Sequence, residues 1–358
     1  MKIYKIIGLM SGTSLDGLDL AYCHIWEENS TWKFRIKASK SVSYTSEMEL
    51  KLKDSIFLSA DELLQFHNSY GTWLGQQAKT FIHEQDLEVD YIASHGHTTH
   101  HQPQKGLTFQ IGSGQHLANE AEIPVICDFR TNDVALGGQG APLVPIGDKL
   151  FFGDYDFCLN LGGISNISFD LNGKRTAYDI GLANMGLNYS TRKVGLQYDD
   201  RGQLARKGKI NQSMLSNLNR LAYYDLPFPK SIGYEWFVEK VVPIIDATED
   251  TLENILHTHV VHVAEKVAKD ILKNTTKSQH TLIVTGGGAL NDFLLETLQD
   301  KLGETVSIKT VPKQLIEFKE ALVFALMGVL RLNEQINVLC AVTGSKRDSS
   351  SGVLYLPS

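Results

Sequence analysis

Apolar and polar positions along this chain follow two periods in turn. Ile3–Leu9 is a nearly continuous apolar run that ends in a Gly/Ser turn, and Leu18–Ile25 returns from it. Both have the length and residue types of buried strands. Ser59-Ala60-Asp61-Glu62 is a capping box, so a long helix is predicted from there through about His83. Val89–Ser94 and Ile123–Cys127 are short buried strands. Phe157–Leu161 and Ile164–Leu171 form a strand, glycine turn, strand unit closed by Asn172-Gly173, a strong hairpin signal. Between Thr251 and Asn274 the apolar residues Leu252, Ile255, Leu256, Val260, Val263, Val267 and Ile271 keep helical spacing. Thr281–Val284 is a strand running into Gly286-Gly287-Gly288, a helix follows, and Glu317–Leu332 is a last, largely apolar helix. Strands alternating with helices make this an α/β chain.

Composition narrows the picture. At 358 residues, 42% hydrophobic and 21% charged, the chain can bury a large core and predicts two domains. The net charge of −7 argues against a nucleic-acid partner, which needs a basic footprint. The apolar runs fall short of the ~20 residues of a membrane helix, so no membrane partner is expected. The N-terminus has no signal-peptide h-region. Cys23, Cys127, Cys158 and Cys340 are scattered without a CxxC pair, which predicts a reduced, cytoplasmic setting.

The candidate chemistry sits in three glycine turns, each at a strand end. Backbone amides reach phosphate oxygens only where the chain can come close, which favours glycine, with hydroxyls adding donors. Gly8 to Ser14 meets that need, as does Gly162-Gly163, and the two hairpins, about 150 residues apart, look like copies of one device. The first is no Walker A loop, because Thr13 stands where the lysine belongs, and no GxGxxG opens a helix. Any one such turn alone could be purely structural. His95-Gly96-His97-Thr98-Thr99-His100 offers a zinc reading through His95, His97 and His100, although Thr99 replaces the aspartate such hydrolases carry. His257, His259 and His262 are expected on a solvated helix face.

The run Gly8-Leu9-Met10-Ser11-Gly12-Thr13-Ser14-Leu15-Asp16-Gly17 closely resembles the N-terminal signature of the anhydro-N-acetylmuramic acid kinases. So do Ser94-His95-Gly96-His97-Thr98, Asp128-Phe129-Arg130, Gly137 to Pro145, Asn160 to Asn166, Thr285 to Gly288, Lys319-Glu320-Ala321 and Val342-Thr343-Gly344, so the likeness covers essentially the whole chain.

The resemblance implies a two-lobed actin/hexokinase-like α/β fold, with two mixed five-stranded sheets flanked by helices and ATP in the cleft between lobes. The first lobe is expected over 1–130 with 334–358 returning to it, and the second over 131–333. The implied activity is ATP-dependent opening of the 1,6-anhydro bond of 1,6-anhydro-N-acetylmuramic acid, with phosphorylation of O6, by a Mg²⁺-requiring cytoplasmic homodimer. Asp179 is then the base that activates water. ATP would contact Gly12, Thr13, Ser14, Leu15, Asp16, Gly17, Asp19, Gly162, Gly163, Gly286, Gly287 and Gly288. Asp16 would hold Mg²⁺ through water, and His95, Arg130 and Glu320 would bind the sugar. Where the family commonly reads Asp-Thr-Gly-Pro-Gly-Asn, this chain has Asp179-Ile180-Gly181-Leu182-Ala183-Asn184. That departure leaves open a related anhydrosugar as substrate, or an ATP-binding sensor of the same fold.

Overall fold

The computed structural model describes residues 2–12, 15 and 17–358. The chain forms two compact units, Met1–Gly153 with Phe318–Ser358, and Asp154–Glu317.

The first unit is built on a six-stranded sheet. Its strands are β1 (Ile3–Ser11), β2 (Leu18–Glu28), β3 (Thr31–Val42), β4 (Tyr91–Ser94), β7 (Val125–Cys127) and β13 (Val353–Tyr355), in the order β13-β7-β4-β1-β2-β3. A separate two-stranded ribbon pairs β5 (His97–Gln102) with β6 (Leu107–Ile111). β1 is central, antiparallel to β2 and parallel to β4. Both of its faces are covered, which is why Ile6 and Ile7 are equally buried although they point to opposite sides. Helix α1 (Ala60–Glu84) starts at the expected capping box, with Ser59 Oγ accepting from Glu62 N and the Glu62 carboxylate accepting from Ser59 N. It packs Tyr70, Leu74 and Phe81 onto Ile7, Leu9 and Leu20.

The second unit holds β8 (Phe157–Leu161), β9 (Ile164–Leu171), β10 (Lys174–Leu182), β11 (His280–Thr285) and β12 (Val306–Lys309), in the order β10-β9-β8-β11-β12. β9 is antiparallel to β8 and β10, while β11 runs parallel to β8 and β12 parallel to β11. The first sheet repeats this scheme through β3-β2-β1-β4-β7, so the duplicated mixed sheet is present in both halves. Asn172 and Gly173 have φ 51° and 76°, the left-handed pair a tight hairpin turn requires. Helix α2 (Leu252–Lys273) lays Leu256, Val260, Val263, Val267 and Ile271 against Leu159, Leu282 and Val284.

Three expectations need adjusting. The first sheet has six strands because Tyr355 and its neighbours pair with Val125–Cys127 at the edge. The unit boundaries fall at 153/154 and 317/318, not at 130/131 and 333/334. The segment up to Gly153 stays with the first unit because Phe151 and Phe152 pack on Phe34 of β3. Near the C-terminus, helix α3 (Lys313–Leu332) breaks its regular dihedrals at Phe318 (φ −111°, ψ 15°), and the boundary lies at that break. Third, His259 and His262 are fully buried, not solvated, because α2 is covered on that face as well. Among the described residues no helix is long and apolar enough to cross a membrane.

Candidate active site

In the first unit the candidate residues gather around Arg130. A Cβ on Gly8 would lie 1.8 Å from the Ala321 carbonyl oxygen, so only glycine lets α3 come this close to β1. That approach fixes the position along α3 of Glu320, the residue before Ala321. Arg130 Nε donates to His95 Nε2 at 3.0 Å, and Nη1 donates to the Gly140 carbonyl at 2.5 Å. Guanidinium nitrogens cannot accept, so His95 Nε2 carries no hydrogen and Nδ1–H donates to the Gly96 carbonyl, 2.9 Å away. Burial and then the Arg130 charge push the His95 pKa well below its ordinary value, so this imidazole is neutral at pH 7. Solvent reaches Glu320, yet the dense protein around it raises its pKa, against the opposing charges of Arg130 and Lys319.

Of the residues assigned to the first phosphate loop, Thr13, Ser14 and Asp16 lie outside the described residues. Gly12 accepts a backbone bond from Leu15 N at 3.3 Å. Leu15 has φ 60°, a left-handed conformation that non-glycine residues adopt at a cost. Gly17, at φ 145°, has its Cβ position 2.5 Å from the Val42 carbonyl, so it is a glycine for structural reasons. Asp19 on β2 accepts from Ser41 Oγ at 2.5 Å.

In the second unit the glycines divide into two kinds. Gly286 (φ 79°) and Gly288 are demanded by packing, since a Cβ would meet the Leu161 backbone at 2.8 Å and the Leu161 Cβ at 2.6 Å respectively. Gly162 and Gly287 have room, and Gly163 is tight only against the flexible end of Met185. The Cβ positions of Gly162, Gly163 and Gly287 meet nothing closer than 3.5 Å, 3.3 Å and 3.6 Å, and their φ values are not left-handed. Asn184 braces the first of these turns, with Nδ2 donating to the Leu161 carbonyl at 2.9 Å and its backbone N–H donating to the Gly162 carbonyl at 3.0 Å. Asp179 is half-buried on β10, where a register shift between Asp179 and Gly181 marks a bulge. Its Oδ2 accepts from Ser231 Oγ at 2.8 Å and from Ile232 N at 3.1 Å. Burial raises the Asp179 pKa, and those two bonds, with the Lys230 charge, oppose the rise.

The anhydro-N-acetylmuramic acid kinase family model matches residues 4–357. This chain belongs to that family. Among named members it is 32% identical to the anhydro-N-acetylmuramic acid kinase of Francisella tularensis subsp. novicida, over 97% of each chain. It is 33% identical to that of Sulfurimonas denitrificans, over 98% of each. Among solved structures, the 2-hydroxyisocaproyl-CoA dehydratase activator of Clostridium difficile with bound ADPNP aligns over 89% of this chain and 96% of its own, at 12% identity and a TM-score of 0.43.

Within this kinase-family chain the zinc reading of His95, His97 and His100 finds no support. His95 Nε2 is taken by Arg130, and His97 Nδ1 bonds Ser11 Oγ at 2.9 Å. Among the described residues no group of three or more His, Cys, Asp or Glu side chains is placed to hold a metal ion. Other residues emerge only from the structure. Asp133, fully buried, accepts from Gly140 N at 2.8 Å and from Thr343 Oγ1 at 2.7 Å, so it joins the Gly137–Pro145 loop that Arg130 leans on to the Val342–Gly344 turn. Its place three residues after Arg130, within a quoted motif's reach, was the available signal. Ser231 offered none: it lies in a proline-bearing loop (Pro227, Pro229) 52 residues from Asp179.

Proposed function

We propose that this kinase consumes ATP to open the 1,6-anhydro bond of 1,6-anhydro-N-acetylmuramic acid with water, releasing N-acetylmuramic acid 6-phosphate and ADP. Water attacks C1 and gives a proton to the Asp179 carboxylate. The C1–O6 bond breaks, and O6 takes the γ-phosphoryl group, so phosphorus captures the leaving oxygen that an acid would protonate in an ordinary inverting glycosidase. The observation that carries the reading is the state of Asp179: a half-buried carboxylate whose pKa is raised, with one oxygen held and, among the described residues, no donor on the other.

Supporting groups take defined roles. Gly162, Gly163 and Gly287, which carry no side chain and are not held by backbone contacts at the Cβ position, receive the phosphates, with Gly286 and Gly288 shaping the turn; the Gly12–Gly17 residues and Asp19 are nucleotide contacts on the same reading. Glu320 accepts sugar hydroxyls, and Arg130 presents positive charge to the substrate carboxylate, held in place by His95 and Gly140. Mg²⁺ neutralises phosphate charge when bound. Asp16 lies outside the described residues, and Asp19 is a hard oxygen donor of the kind that ion takes. The enzyme acts in the cytoplasm as a homodimer.

The test is Asp179→Asn, assayed by ADP release with 1,6-anhydro-N-acetylmuramic acid. Turnover should fall by roughly 10²–10⁴ with ATP affinity within a few-fold. A variant that keeps normal kcat overturns the assignment.

A further inference from the structure

We infer that Ser231 is a positioning residue for this reaction: with the Ile232 amide it pins one oxygen of the Asp179 carboxylate and so selects the other as the base. The inference rests on the reading of Asp179 given above.

One short segment holds Asp179 at four points. The Tyr223 hydroxyl donates to the Asp179 carbonyl at 2.6 Å, and the Asp179 N–H donates to the Lys230 carbonyl at 3.2 Å. Ser231 Oγ–H and the Ile232 N–H then both reach Oδ2, at 2.8 and 3.1 Å. Two main-chain bonds fix where the residue sits, and two side-chain bonds fix how its carboxylate is turned. Among the described residues no donor reaches Oδ1. A carboxylate bonded twice on one oxygen and not at all on the other is directional. The free oxygen keeps its lone pairs for a water proton, and rotation about χ2 would break both bonds at Oδ2.

Charge gives the same segment a second effect. Donors to a carboxylate favour its anion, whereas burial favours the neutral acid. Both act on Asp179, and burial is the larger influence. Ser231 therefore keeps the base ionised further down the pH scale than burial alone would allow. Ser231 is itself exposed, and among the described residues its hydroxyl bonds only Asp179, so its role does not lie in the core.

The experiment compares Ser231→Ala and Ser231→Thr with the unaltered enzyme, following ADP release with sugar across pH. For Ser231→Ala we expect a roughly tenfold lower plateau kcat, from the loss of alignment. The acid limb of the kcat profile should also move up by about half a unit or more. KM for ATP should stay within about twofold. Ser231→Thr, which keeps the hydroxyl, should restore most of the plateau and return the limb. Thermal unfolding checks that both variants fold. If Ser231→Ala folds and shows the unaltered plateau and limb while Asp179→Asn is inactive, this inference fails and the base assignment stands. If Asp179→Asn is itself active, the base assignment fails first.

Discussion

His259 is a histidine that the folded protein holds neutral well below the pH at which the unfolded chain would protonate it. It is fully buried on α2, and neither ring nitrogen has a hydrogen-bond partner among the described residues. Helix Asn184–Arg192 presses against it so closely that a Cβ on Gly186 would lie 2.8 Å from His259 Cε1. Burial lowers its pKa from 6.5 to about 4. The sign follows directly. The unfolded chain takes up a proton near pH 6.5 and the folded chain does not, so stability falls as pH drops below that value. Between pH 7 and pH 5 this one group removes about 2 kcal/mol, and the loss ends near pH 4 at about 3 kcal/mol. His259→Leu keeps a similar volume and removes both unpaired nitrogens. At pH 7 it should be neutral or mildly stabilising, since relieving an unsatisfied buried group is worth about 1–3 kcal/mol against less than 1.5 for reshaping the packing. The assay is urea unfolding of both proteins at pH 7 and pH 5. The variant should lose about 2 kcal/mol less than the unaltered chain over that interval. Equal losses would show that His259 is not the group being charged. His262, bonded to Tyr224 at 2.7 Å and Asn219 at 2.8 Å, is lowered as well, by burial first and then by the charge of His259, so His259→Leu also eases protonation of His262 and adds to the difference in the same direction.

Two further tests separate scaffold from ligand contact. Gly163→Ala places its methyl 3.3 Å from the flexible end of Met185, so unfolding temperature should hold within about 2 °C while KM for ATP rises by roughly tenfold. Gly288→Ala, 2.6 Å from Leu161 Cβ, should instead cost about 1–3 kcal/mol of stability in a denaturant melt. Lys319 and Asp148 pair at 2.6 Å with both side chains nearly fully buried, so Lys319→Met should destabilise by about 3 kcal/mol or more, because it leaves a carboxylate in the interior. Differential scanning calorimetry reads that loss, and restoring part of it with Asp148→Asn in the same chain checks the cause.

Legibility followed the reach of each signal. The capping box at Ser59 and the Asn172-Gly173 turn are local, and both stand where their residues place them. Periodicity located α2 because seven apolar residues repeat on one face, but it says nothing about the opposite face. Whether His259 and His262 meet water depends on the helix over residues 184–192 and on Tyr224, which are distant in sequence. Strand β13 is three residues long and pairs with a strand more than 200 positions earlier, so no window of sequence could announce it. The glycines of 286–288 looked alike on the page of residues. Only the packing of Leu161 separates Gly286 and Gly288, which have no choice, from Gly287, which does.

That same division bears on the loop where this chain leaves the common family run. Of the six residues from Asp179 to Asn184, the three that differ are Ile180, Leu182 and Ala183, exposed by 1%, 2% and 0%. All three belong to the second unit's core, among Leu187, Leu256 and Val260. The retained residues are the ones with polar or steric duties. Asp179 faces partly outward, Gly181 has its Cβ position 2.3 Å from the Tyr224 ring, and Asn184 holds the Leu161 carbonyl. Exchanging a hydroxyl-bearing residue, a proline and a glycine for Ile, Leu and Ala therefore alters how β10 is packed from behind, and leaves the groups that could meet substrate in place. An apolar side chain turned into the core cannot contact a sugar, so Ile180, Leu182 and Ala183 do not themselves choose between anhydrosugars.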